Sequence, residues 1–267
     1  MTAVRITVLV DNNTNIDQYY LGEPAVSYYI EDGDVRLLFD AGYSDAAVRN
    51  AREMGIDLGR LTHIVLSHGH NDHTRGLQFL PDSKARLVAH PDCFESKFYG
   101  AEDIGAPFSA EEAARRWNCT LTKDVYRISD DLLFLGEVPR VTDFEGREPI
   151  GTACRGGRIQ PDFLLDDSAL VYRSDRGIFI ITGCSHSGIC NIVSYAMSVC
   201  ADRRLLGVLG GFHLLEDNAQ LAKTVDFLAA QNPQKLYPCH CVSLTGKARL
   251  MARLPVGEVG VGTVLEL

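Results

Sequence analysis

The sequence predicts a mixed α/β chain, two β-sheets face to face with helices outside, and three observations carry that expectation. With 46% apolar residues among 267, the chain can bury a large core and sits near the upper size of one globular domain, so a single domain over 1–267 is expected. Its first half is strand-rich, opening on β-branched and aromatic runs punctuated by Gly, Asp and Asn, as strands joined by turns are. Its second half alternates strand-like and helix-like stretches.

In order, "VRITVLV" (4–10), "AVSYYI" (25–30) and "VRLLFD" (35–40) read as strands. "SDAAVRNAREMG" reads as a helix that starts at the cap candidate Ser44 and stops at Gly55. "THIVLS" and "ARLVAH" are further buried strands. From about 91 to 160 the pattern loosens into a polar, helix-leaning segment around "SAEEAARRW", which suits a substrate-shaping insertion. Order returns with the strands "ALVYRS" and "GIFIIT", the helix "GICNIVSYAMSVC", the strand "LLGVLGG", the helix "NAQLAKTVDFLAAQ", the strand "KLYP" and a last helix near "SLTGKARLMARL".

Charge and composition exclude several roles. The net charge of −9 is spread without basic blocks, which argues against nucleic acid or an anionic membrane as partner. "MTAVRITVLVDNN" lacks a basic n-region, and no stretch approaches 18 uninterrupted apolar residues, so neither a signal peptide nor a membrane span is expected. Eight dispersed cysteines in a chain of this size fit reduced thiols in a cytoplasm. Oligomeric state leaves no trace in the sequence.

"HIVLSHGHNDHTRGL" (63–77) concentrates three histidines and an aspartate into six positions directly after an apolar run. With 8 His and 22 Asp in 267 residues, such a pattern arises by chance about once in two thousand chains. In an extended segment His68 and His70 point to one side and can converge on one ion, while the adjacent Asp72 and His73 diverge and can face a second. Gly69 is expected to let the backbone bend beneath the cluster.

At "SHGHNDH" the chain resembles the metallo-β-lactamase superfamily, whose leading motif is H-x-H-x-D-H at a strand end. The resemblance extends, through "VLVDNNT", "LLFDAG", "ITGCSHSGICNIV", "GVLGGFHL" and "PCHC", to a branch of metal-dependent hydrolases that includes dihydropterin ribofuranosylaminobenzene phosphate synthases. That branch would carry an aromatic where Asn71 stands and a second glycine where Arg75 stands, departures that bear on substrate identity. The resemblance implies an αββα four-layer sandwich with the metals at one edge between the sheets.

It also implies later ligands. His186, between a strand and a helix, is the best third ligand for a first metal beside His68 and His70. His240, after "KLYP", is the best closing ligand for a second beside Asp72 and His73. Cys184 stands where the superfamily usually supplies a bridging aspartate; it is either a thiolate ligand or a small buried hydrophobe. His213 could bind metal, contact substrate, donate a proton or pack a loop, and Cys239 and Cys241 flank His240 structurally. His63 reads as a packed imidazole, and His90 as a ligand only in the minority case.

Asp40 and Asp11, at strand ends, are candidates to accept the second N–H of a ligating imidazole, with turn capping as the alternative. Asp162, Asp166 and Asp167 read chiefly as a solvated turn. Arg155 and Arg158 could meet a phosphate, and Lys97 and Phe94 could line a lid.

The chemistry implied is hydrolysis of a small ester, lactone or phosphoester. Two divalent ions, zinc first with manganese or iron also suited, would activate a shared water, and Asp72 would orient it or accept its proton. A group transferase acting on a phosphorylated pterin precursor and a non-catalytic metal-binding module are the alternatives.

Overall fold

The computed structural model describes residues 4–267; residues 1–3, the start of the segment read above for a leader, lie outside them. Along the chain run β1 (Arg5–Val10), β2 (Ser27–Asp32), β3 (Val35–Phe39), α1 (Ala46–Glu53), β4 (His63–Val65), α2 (Asn71–Thr74), β5 (Arg86–Ala89), β6 (Ser96–Tyr99), β7 (Glu102–Asp103), α3 (Ala110–Arg116) and β8 (Asn118–Leu121). There follow β9 (Tyr126–Arg127), β10 (Leu132–Phe134), β11 (Thr152–Arg155), β12 (Arg158–Pro161), β13 (Ala169–Ser174), β14 (Gly177–Thr182), α4 (Ile189–Cys200), β15 (Leu205–Gly210), α5 (Ala219–Gln231), β16 (Lys235–Pro238), α6 (Leu244–Met251) and β17 (Val264–Glu266).

These elements form two compact units, the first from Met1–Lys123, Pro149–Asp166 and Gly260–Leu267, the second from Asp124–Glu148 and Asp167–Val259. Among the described residues the first unit holds a seven-stranded sheet, β17-β1-β2-β3-β4-β5-β8, and a four-stranded sheet, β12-β11-β6-β7. β3, β4, β5 and β8 run parallel, so their carboxyl ends share one edge. Asp40, the 66–73 loop and His90 all leave the sheet there. Behind this sheet Leu38, Ile64, Leu66 and Leu87 pack with Leu77, Ala113 and Trp117.

In the second unit the sheet order is β16-β15-β14-β13-β10-β9, and β14, β15 and β16 are parallel. Their carboxyl ends carry 183–186, 211–213 and 239–241. Ile180, Val208 and Leu236 form its core with Ile192 and Val193 of α4 and Val225 and Leu228 of α5. The ends of parallel strands are where such sheets present ligand-binding groups, because the connecting loops gather there.

The long strands and helices match their sequence patterns. α5 is capped by Asn218 and α6 by Ser243. α1 starts one residue late: Asp45 takes the cap position without a side-chain bond, and Ser44 is instead held by Glu23. The 91–160 segment differs from its helix-leaning reading. Only 110–116 is α-helical, with one 3₁₀ turn at Pro91–Phe94, and most of its ordered remainder is short strands. Pieces of two to four residues are too brief to show a period-two alternation, and the same brevity hides β17 and α2. No helix among the described residues is long and apolar enough to cross a membrane.

α3 carries a capping box: Ser109 accepts from the Glu112 amide, and Glu112 accepts from the Ser109 amide. Ser109→Ala is expected to destabilise the chain by about 1 kcal/mol, read as a lower urea midpoint at unchanged slope.

Candidate metal centre

In the first unit, β4 delivers the chain to Ser67, His68, Gly69 and His70, and a helical turn starts at Asn71 with His70 as its cap. His68 and His73 are fully buried and His70 is 8% exposed. The His68 ring centroid lies 4.7 Å from that of His70 and 4.2 Å from that of His73. Asp72 and His73 do not diverge as an extended chain would make them. The turn of α2 brings Asp72 Oδ2 to 3.4 Å from His73 Nε2.

Asp40, fully buried at the end of β3, organises these donors. One carboxylate oxygen accepts from the Ser67 amide at 2.7 Å. The other accepts from the Ser67 hydroxyl and from His73 Nδ1, both at 2.7 Å. Ser67 has a single hydroxyl hydrogen, and the carboxylate takes it. Its oxygen, 2.9 Å from His68 Nδ1, must therefore accept a hydrogen from that nitrogen. His68 is thereby fixed with hydrogen on Nδ1, and its Nε2 carries the lone pair a metal needs. Ser67 escaped the sequence reading because a serine beside a motif has no pattern of its own.

Charge separates His70 from His73. Burial pushes His70 down to about 4, so it is neutral at ordinary pH. Burial works against the imidazolium of His73 too, but the carboxylates of Asp72 and Asp40 outweigh it and raise its pKa well above the usual value.

Other expectations for this unit resolve differently. Asp11 accepts from the amide of Asn13, the turn-capping alternative. His90 Nδ1 accepts from the Asp92 amide and caps a short 3₁₀ turn. His63 is half-buried rather than packed in the core, 3.0 Å from the Thr62 hydroxyl. Lys97 does not line a lid; it is fully buried. Arg155 is ion-paired with Asp162 at 2.7 Å and Asp92 at 3.1 Å, while Arg158 is exposed. Arg75, where the branch would have glycine, donates to the Tyr43 hydroxyl and stacks over its ring. A cavity of about 490 Å³, lined among others by Arg5, Tyr29, Arg36 and Arg60, contains none of the predicted donors.

Gly69 is needed for a reason other than a bend, since its φ is not positive. A Cβ there would lie 2.2 Å from the Cys93 carbonyl oxygen and 2.8 Å from Lys97 Cε. The glycine permits close approach of backbone on backbone.

In the second unit, Cys184 is buried, and its Sγ lies within 4.8 Å of a ring nitrogen of His186 and of a ring nitrogen of His240. The His213 ring is 4.6 Å from the His186 ring. Ser185 donates to the Gly211 carbonyl at 2.6 Å, tying two strand ends together. Asp167 accepts from both the amide and the hydroxyl of Ser187, which anchors the loop carrying His186. The Cys241 thiol donates to the Cys184 carbonyl at 3.5 Å, and Cys239 is fully buried.

Backbone conformation marks the same places. Ala201 and Asn232 have positive φ as helix C-caps. Asp40 (φ 57°), Ser185 (62°), His213 (48°) and His240 (52°) have it at the carboxyl ends of parallel strands. Such residues cost on the order of 1–2 kcal/mol each and collect where side chains must be aimed for function.

Comparison with known proteins agrees with this layout. The family model described as the metallo-beta-lactamase superfamily matches residues 21–240. An uncharacterized protein of Methanocaldococcus jannaschii, MJ0448, is 32% identical over 263 residues, covering 96% of this chain and 98% of that one. The 7,8-dihydropterin-6-methyl-4-(beta-D-ribofuranosyl)-aminobenzene-5'-phosphate synthase of the same organism is 26% identical over 268 residues, covering 93% and 90%. The crystal structure of Tm1679, a metal-dependent hydrolase of the beta-lactamase superfamily, superposes with a TM-score of 0.87 at 28% identity over 99% of both chains. The chain therefore belongs to the metallo-β-lactamase superfamily, mostly metal-dependent hydrolases, and has its fold.

Proposed function

We propose that this protein is a metallohydrolase acting on a small ester, lactone or phosphoester, with His68, His70, Asp72, His73, Cys184, His186 and His240 as ligands to two divalent ions. The observation that carries the reading is the Asp40–Ser67–His68 chain of hydrogen bonds, which leaves His68 Nε2 as a lone-pair donor inside a cluster of buried imidazoles. The donor set of imidazole, carboxylate and one thiol suits zinc first, and manganese or iron where oxygen and nitrogen donors dominate. Bound divalent ions supply Lewis acidity, making water a nucleophile near neutral pH and drawing charge from the substrate's acyl or phosphoryl oxygen.

The chain's own groups do the rest. Asp72, 28% exposed, orients the attacking water and accepts its proton. His213, beside His186, donates a proton to the leaving group. Asp40 holds His73 in a single orientation throughout. The test is turnover of p-nitrophenyl acetate and bis(p-nitrophenyl) phosphate by metal-loaded and chelator-stripped protein. Activity that disappears with the metal and returns with zinc or manganese supports the reading, and equal turnover by stripped protein refutes it.

Metal uptake is expected to depend on pH with a defined sign. His70 is already neutral above about pH 4, so its ligation displaces no proton at pH 6–8. The carboxylates of Asp72 and Asp40 favour the protonated form of His73 in the metal-free protein, and that proton must leave before Nε2 can bind. His73 by itself should therefore contribute a rise in affinity of about tenfold per pH unit over the range below its raised pKa. Competition titrations with a chromogenic chelator at several pH values measure this slope.

A second reading is favoured by the match to the methanogen synthase over nearly the whole chain. It is group transfer onto a phosphorylated pterin precursor. Incubation with a dihydropterin diphosphate and a ribosylated aminobenzoate, followed by mass measurement, separates the two: a condensed product supports transfer, and hydrolysed substrate alone supports hydrolysis.

A further inference from the structure

Lys97 is the only lysine among the fully buried side chains of the described residues, and its surroundings explain why it is there. Its ammonium lies 2.8 Å from Asp162 Oδ2 and 3.0 Å from Asp166 Oδ1, and both aspartates are fully buried. Asp162 Oδ1 also accepts from Arg155 at 2.7 Å and from the Leu164 amide at 3.0 Å. Asp166 uses its second oxygen differently: Oδ2 accepts from the Gly69 amide at 2.8 Å. Gly69 is the residue between His68 and His70.

A buried ion cluster of this kind is a poor device for stability alone, because desolvating three charges offsets most of their attraction. It is a good device for fixing direction. Lys97 sits on β6 and Arg155 on β11, neighbours in the four-stranded sheet, with Asp162 and Asp166 in the segment that follows β12. Gly69 is gripped from two sides by β6 and the segments flanking this sheet. The Asp166 carboxylate holds its N–H, and the Cys93 carbonyl and Lys97 stem pack where a side chain would be. The peptide joining His68 to Gly69 cannot rotate without breaking the bond to Asp166, so the relative aim of the two imidazoles depends on that carboxylate being held still.

We infer that Lys97, with Asp162 and Asp166, is a positioning cluster for the metal-binding loop: the ammonium locks the Asp166 carboxylate, and the carboxylate locks the backbone between His68 and His70. The inference rests on the proposed metal-binding role of those histidines. Lys97 touches neither metal nor substrate in this account, and its effect passes through Asp166 and the Gly69 amide.

The test is cobalt(II) binding, followed by the visible spectrum and by competition with a chelator, far below the unfolding temperature. Lys97→Met and Asp166→Ala should each weaken cobalt affinity about 10–100-fold and alter the visible bands. The double variant should be no worse than either single one, because both break the same connection. Asp92→Asn, which touches only the outer end through Arg155, should leave affinity and spectrum unchanged. Variants that unfold at lower temperature yet bind cobalt with wild-type affinity and spectrum would overturn the inference and leave the metal reading intact. A wild-type protein that takes up no cobalt would sink the metal reading and this inference with it. Should the variants fail to fold, the Gly69 amide of the wild-type protein decides: slow hydrogen exchange is expected, and exchange as fast as that of exposed loop amides overturns the proposal.

Discussion

Asp72→Asn is expected to lower kcat toward an activated ester or phosphodiester by about 10²–10⁴-fold, with a much smaller change in KM. The substitution keeps the shape of the side chain and removes its charge and its ability to take a proton. Both matter here. Asp72 is the partly exposed carboxylate of the histidine cluster, while Asp40 is fully enclosed and committed to Ser67 and His73. In the metal-free protein Asp72 also helps keep His73 protonated. Its neutralisation should therefore flatten the pH dependence of metal uptake, because His73 then gives up its proton more readily. Steady-state kinetics and a pH series of metal titrations on one variant check both consequences. A kcat within threefold of wild type would remove Asp72 from the role assigned to it.

Asp40→Ala should be among the most destabilising single changes in the first unit, by about 3–5 kcal/mol, and should also weaken metal binding. The buried carboxylate accepts three hydrogen bonds, and alanine leaves the Ser67 amide, the Ser67 hydroxyl and His73 Nδ1 facing a void. Each donor stranded in the interior costs about 1–3 kcal/mol. The backbone adds to this, since φ at residue 40 is 57°, a region alanine occupies less readily than aspartate. Asp40→Asn separates the contributions. Asparagine tolerates that φ and keeps one acceptor oxygen, so its loss of stability should be clearly smaller, while its amide hydrogens oppose the donors of Ser67 and His73. Urea unfolding of the stripped proteins ranks wild type, Asn and Ala in that order; an alanine variant within 1 kcal/mol of wild type would contradict the arrangement around Asp40.

The histidine loop is legible in the sequence because three histidines and an aspartate in six positions are too rare to be accidental, and because a strand-like run leads into them. The strand ends carrying Asp40, His186 and His240 were legible for a related reason: long apolar runs announce where parallel strands stop. The geometry of Asp72 and His73 departs from the extended pattern, since one helical turn begins inside the motif and replaces period two with a helical pitch. Lys97 was unreadable as a buried residue. Its aspartate partners lie 65 and 69 positions away, and a lone lysine in a polar stretch ordinarily belongs in water. Arg155 misled in the opposite sense, a cation apparently available to phosphate but paired at both ends with aspartates. Gly69 was singled out correctly for necessity and wrongly for cause.

Crystals of the protein grown with zinc or manganese, measured on both sides of the metal absorption edge, test the central claim most directly. Anomalous peaks are expected bonded to the ring nitrogens of His68, His70 and His73 and joined by donors from His186 and His240. Crystals in which those imidazoles point apart, with no anomalous density among them at saturating metal, would contradict it.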